Sequence, residues 1–141
     1  MEGLSAIEME RQQRQTAAAS AAVTGIGATL LAVTGLIHLF EAPEYWGEVH
    51  YIGALFVVGA VVAITAAFGI LRGERWGWQL GLAVTGGMAL AYVLSRTVGI
   101  PQFREASLDK FLEPFGLGSL IVEVLFVVLA LRVLGPPRQV I

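Results

Sequence analysis

No cysteine occurs in this 141-residue chain, which excludes disulfides, thiolate metal sites and thiol nucleophiles. Charge is also scarce. Asp, Glu, Lys and Arg make up 14% of the residues, against about 25% in a soluble domain, and so few charges cannot cover a soluble surface. Basic residues are outnumbered nine to eleven, leaving a net charge of −2. That excludes the positive field needed to grip nucleic acid. The chain has no Gly-rich phosphate loop after a strand, no Gly-x-Ser-x-Gly elbow and no His-Glu-x-x-His, so no familiar catalytic motif names a reaction. Apolar residues, by contrast, are abundant. They make up 56% of the chain, mean hydropathy is +0.73, and a disordered chain is excluded on that ground. The class is integral membrane, with the lipid bilayer as the first partner.

Four apolar runs are long enough to count, at about 17–41, 50–71, 76–95 and 114–134. Each approaches or exceeds the roughly 20 residues that cross a hydrocarbon core about 30 Å thick. Lipid offers backbone groups no partners, so the runs are expected to be helices. Period-two alternation is absent, against a barrel. The expectation is an all-α, four-transmembrane-helix bundle running up-down-up-down. Residues 1–16 form a polar tail or short interfacial helix, and residues 135–141 a second tail. Pro43 ends the first helix or opens the second, leaving a short loop over 42–49. The turn Arg72–Arg75 makes an antiparallel hairpin. The longer 97–113 connection packs over the bundle mouth or lies along the interface.

Four spans place both termini on one side. Arg11, Arg14, Arg72, Arg75, Arg132 and Arg138 lie on that side, and Arg96, Arg104 and Lys110 on the other. The positive-inside rule then puts the termini in the cytoplasm and the chain in the plasma membrane. Trp76 and Trp78 become inner-interface belt residues, and Tyr45, Trp46 and Tyr51 outer ones.

Leu gains nothing by leaving lipid for a bundle, so close packing must come through small residues. Gly35 on the first helix, Gly59 and Ala63 on the second, and Gly77, Gly81 and Thr85 on the third provide such faces. The same faces suggest a homo-oligomer or a membrane-protein partner.

Ionisable residues inside spans are costly and usually face the bundle interior. Glu123 is the sharpest case. It lies roughly 13–15 Å along the last helix, near the bilayer midplane, on a face with Gly116, Ser119 and Ala130. An unpaired carboxylate there costs several kcal/mol. Arg96 and Tyr92 on the third helix are its natural partners. His38, with Glu41 one turn on, and His50, beside Tyr51, lie in the same outer half. The candidate pocket is therefore His38, Glu41, His50, Tyr51, Tyr92, Arg96 and Glu123.

Two His and a carboxylate suit a divalent transition metal, and His38, His50 and Glu123 would leave an open coordination position. The two His can serve at most one b-type haem. Glu123 with Tyr92 and His38 can also act as a proton relay, as in a small membrane enzyme or proton-coupled carrier. Catalytic residues are not identifiable. The leading expectation is a binding module for a small ligand or metal ion. The alternatives are an accessory subunit of a larger membrane complex, a small enzyme or carrier, and a haem protein.

The segments Gly35-Leu-Ile-His-Leu39, Ala42-Pro-Glu44, Tyr51-Ile-Gly53, Leu94-Ser-Arg-Thr-Val-Gly-Ile-Pro101, Glu113-Pro-Phe-Gly116 and Ser119-Leu-Ile-Val-Glu123 form one pattern. It resembles small four-helix membrane proteins frequent in actinobacteria, for which no activity is established. The resemblance spans nearly the whole chain and implies the four-helix fold. Members carry His where this chain has Tyr45 or Trp46, so this chain departs towards a leaner metal-ligand set.

Overall fold

The computed structural model describes residues 2–103 and 112–136. Four helices account for most of them: α1 (Glu2–Glu48), α2 (His50–Leu71), α3 (Arg75–Arg96) and α4 (Pro114–Leu134). All four are long and apolar enough to cross a membrane, so the chain is an all-α bundle suited to a multi-pass membrane protein. At 1.5 Å per residue, α2, α3 and α4 are each about 32 Å long, the thickness of a hydrocarbon core. Helix α1 packs on α2, α2 on α3, α3 on α4 and α4 on α1, with little contact between α1 and α3. Short connections make α1, α2 and α3 successively antiparallel, and α4 follows the longer 97–113 connection.

The α2–α3 hairpin follows from one glycine. Gly73 has φ +75°; its N–H bonds to the Ile70 carbonyl at 2.9 Å, and the Glu74 N–H bonds to Gly69 O at 3.0 Å. This paired arrangement satisfies orphan helix-end carbonyls and needs a left-handed residue at Gly73. The returning helix then comes in very close. A Cβ at Gly77 would sit 2.5 Å from Ile70 N and 2.9 Å from Ala66 O, so α2 and α3 touch backbone to backbone. Gly81 opposes Phe126 and Leu31, Gly35 opposes Ala60 and Ile64, and Gly59 opposes the Met88 methyl. The small-residue faces expected from the sequence are the packing faces, with Ala63 and Thr85 fully buried among them.

Three expectations need correction. The first helix does not stop at Pro43, and there is no 42–49 loop: α1 runs to Glu48, and Val49 alone breaks the chain (φ −142°, ψ 106°). An internal proline costs about 3 kcal/mol. Tertiary packing outweighs that cost, because Ala42 and Tyr45 are buried on either side of it and Tyr45 packs with Ile52 and Phe103. The corner also needs Gly53, where a Cβ would lie 2.5 Å from Trp46 Cα. Second, the N-terminal segment is neither a tail nor a separate helix. It is continuous with α1, and residues 5–22 are exposed around the whole helix. An Ala-rich run, 17–22, carries the helical register through. Third, Trp78 is not a belt residue. It is buried over Gly27 and stacks on Phe126, with ring centroids 5.7 Å apart. Trp78, Phe126, Leu31 and Ile70 fill the bundle beside the hairpin end.

Replacing Gly77 by Ala is expected to destabilise the bundle by about 1–3 kcal/mol, since backbone cannot yield as a flexible side chain can. Gly87, which has nothing within 4 Å of a built Cβ, is the matched control. Gly87→Ala should leave stability unchanged or slightly raised, as read by unfolding of the detergent-solubilised proteins.

Candidate functional site

At the end of the bundle opposite the α2–α3 turn, the helices enclose a cavity of about 120 Å³. Small residues and helix ends position its walls. Helix α1 contributes His38, Glu41 and Tyr45, α2 contributes Ile52, Leu55 and Phe56, and α3 contributes Met88, Ala91, Tyr92, Ser95 and Arg96. Helix α4 contributes Gly116, Ser119 and Glu123. Ile100 and Phe103, in the turn after α3, close the top, where they pair through backbone hydrogen bonds of 2.9 Å in each direction. The Tyr51 hydroxyl donates to the Pro101 carbonyl and ties that turn to the start of α2. Of the 97–113 connection, Ile100 and Phe103 thus lie against the cavity. Residues 104–111, including Arg104 and Lys110, lie outside the described residues, as does Arg138.

The polar floor is built by α1 and α4. Glu123 is 2% exposed, and its Oε1 accepts a 2.8 Å hydrogen bond from the Ser119 hydroxyl, one helical turn earlier. Across the interface, His38 Nε2 lies 3.8 Å from the same oxygen. That exceeds a direct hydrogen bond but suits a pair bridged by one polar atom. His38 Nδ1 lies 3.0 Å from the Thr34 carbonyl. A carbonyl only accepts, so Nδ1 carries hydrogen and Nε2 is the nitrogen turned to the carboxylate. Glu123 Oε2 takes no hydrogen bond from the described residues. The Thr34 hydroxyl, fully buried one turn below His38, likewise has no partner among them.

The upper end is cationic. The Arg96 guanidinium, 8% exposed, donates to Ser95 Oγ at 2.9 Å and to the Tyr45 hydroxyl at 3.4 Å. It also lies over the Tyr92 ring, 3.9 Å from its centroid, a favourable cation–π placement. Tyr92 in turn fills the space left by Gly116. Aromatic rings form much of the remaining wall. Phe56 lies between His38 and Tyr45, with centroids at 4.8 and 4.4 Å, and Phe103 meets Tyr45 edge-on at 5.5 Å.

Of the seven residues expected in one pocket, five line this cavity: His38, Glu41, Tyr92, Arg96 and Glu123. Two do not. His50 is exposed and packs edge-on to Trp46, and Tyr51 faces outward to Pro101. The reason is the one-residue corner at Val49, which starts α2 with both side chains outside. The metal set His38, His50 and Glu123 is therefore not assembled. Among the described residues no three His, Asp or Glu converge as metal ligands, and His38 and His50 do not face one cavity as a haem pair would need. Sequence spacing offered Arg96 or Tyr92 as the carboxylate's partner. The hydrogen bond formed at Glu123 comes instead from Ser119 of its own helix. Tyr45, Phe56, Ser95 and Phe103 were missed as cavity residues. Helical spacing places Ser119 on the face of Glu123, as read from the sequence, and the structure adds that it is the hydrogen-bond partner.

Comparisons with protein-family models, curated proteins and solved structures return no match.

A double-mutant cycle with Ser119→Ala and Glu123→Leu, each of which removes the bond, should give a coupling of about 0.6–1.7 kcal/mol, the range for hydrogen bonds within membrane proteins. It is measured by unfolding the four proteins in one detergent. A coupling near zero would contradict the bond.

Proposed function

We propose that this chain is a small membrane-embedded binding protein whose cavity holds a small, largely apolar ligand by one polar end. The observation carrying this reading is the Ser119–Glu123–His38 group. A buried carboxylate with one oxygen uncommitted among the described residues faces a mainly apolar cavity. Pockets of this make-up, with hydrophobic walls and a few fixed polar groups, are typical of small-molecule sites. With one proton held between them, on His38 Nε2 or on a carboxyl oxygen of Glu123, the two groups offer both a donor and an acceptor to a ligand atom lying between them.

The metal-ion form of this reading loses its support with His50 outside the cavity. In the orientation implied by the arginine asymmetry, the termini face the cytoplasm and the cavity lies in the outer half of the plasma membrane. The core packing of Trp78 and Phe126 below the cavity favours a binding role over a path through the bundle.

The test is mass spectrometry of the full chain extracted with its surrounding lipids in polymer nanodiscs. A small lipid-soluble species should co-purify with the wild type and fall at least tenfold in Glu123→Gln, while bulk phospholipid stays constant. Equal recovery of every small species from both proteins would overturn the reading.

A further inference from the structure

The cavity wall is incomplete between α2 and α3. Leu55 lines the cavity yet is 59% exposed, and Ala91, across from it, also lines the cavity and is exposed. Leu55 lies one turn from Gly59 on the same face of α2, and Ala91 one turn from Met88 on α3. Gly59 and Met88 are in close contact between the two helices. Above the gap, the turn carrying Ile100 and Phe103 is tied to α2 through Tyr51 and Pro101. The result is a side window bounded below by the Gly59–Met88 contact and above by that turn. Because it lies between two membrane-spanning helices, it opens onto the hydrocarbon rather than onto water.

We infer that the cavity is loaded sideways from the bilayer through this window, and that its occupant is a lipid-soluble amphiphile with a single-ring, quinone- or phenol-type head. This inference rests on the binding role proposed above and names the ligand class. Three features select such a head. The cavity is about 120 Å³, near the size at which an apolar cavity takes one benzene-sized ring. Four of its wall residues, Tyr45, Phe56, Tyr92 and Phe103, are aromatic, and flat rings pack on one another with favourable geometry. Hydrogen-bonding groups stand at both ends: Ser95 and Arg96 above, Glu123 and His38 about 10 Å deeper along the helix axes. A ring bearing oxygens at opposite positions reaches both ends with one hydrogen bond each, and its apolar tail leaves past Leu55 and Ala91.

The experiment measures saturable binding of a decyl-substituted benzoquinone to the full chain in nanodiscs by equilibrium dialysis, with empty nanodiscs subtracted. Four proteins are compared: wild type, Glu123→Gln, Ala91→Trp (which blocks the window) and Gly87→Phe (an added aromatic ring one turn away, where a Cβ meets nothing within 4 Å). Leu55→Trp closes the same window from the other wall and replaces Ala91→Trp if that variant does not fold. The wild type and Gly87→Phe should bind one quinone per chain, and Glu123→Gln and the window variant should each bind at least tenfold more weakly. Loss in Glu123→Gln with wild-type binding in the window variant would overturn side entry and leave the binding role standing. Wild-type binding in both would overturn side entry and the pocket together. No saturable binding to the wild type would overturn the ring-bearing ligand, and the co-purification measurement then decides the binding role alone.

Discussion

The close approach of α2 and α3 at Gly77 is the constraint from which the rest of the arrangement follows. With no side chain there, the two helices meet at their backbones beside the Gly73 turn. Dispersion and backbone proximity replace the hydrophobic force that lipid cannot supply. Pinning the helices at that end leaves the other end free to diverge. Trp78, Phe126 and Leu31 fill the narrow part, and the wider part becomes the cavity. The turn carrying Ile100 and Phe103 is then required as a cover, and Tyr51 and Tyr45 hold it.

This division also explains where polar residues are tolerated. A carboxylate among Trp78 and Phe126 would find no partner. In the wider half, Ser119 supplies a hydrogen bond from one turn away, and His38 stands opposite with its ring fixed by Thr34. Arg96 sits at the edge, where Tyr92, Ser95 and Tyr45 receive it. The Arg96 group and the Ser119–Glu123–His38 group are thus each anchored mainly by residues of their own helix, with Glu41 on α1 between their levels. Such local anchoring costs little extra ordering, because the helix already holds both residues.

Much of the fold is legible in the sequence, because lipid imposes one rule on every span: satisfy the backbone internally. Run length therefore located α2 and α4 to the residue and α3 within one. The small-residue faces were equally plain, since Gly59, Gly77 and Gly81 have few other reasons to recur at helical spacing. Pro43 misled because a local penalty was weighed without the packing of Tyr45, which is visible only in three dimensions. His50 misled for a related reason. Its place in the same outer half of the bundle suggested company with His38, but the one-residue corner at Val49 sets the rotation of α2. Glu123, His38 and Arg96 were recognisable because charge within a span is costly. The aromatic wall was not, since Phe56 and Phe103 resemble any other apolar residue in so hydrophobic a chain.

The plug of Trp78, Phe126 and Leu31 has an electrical consequence. It closes the cavity towards one face of the membrane, so any charge that reaches Glu123 must come from the other side. A charge moving between that side and the carboxylate crosses part of the transmembrane field, worth at most about 2.3 kcal/mol per 100 mV.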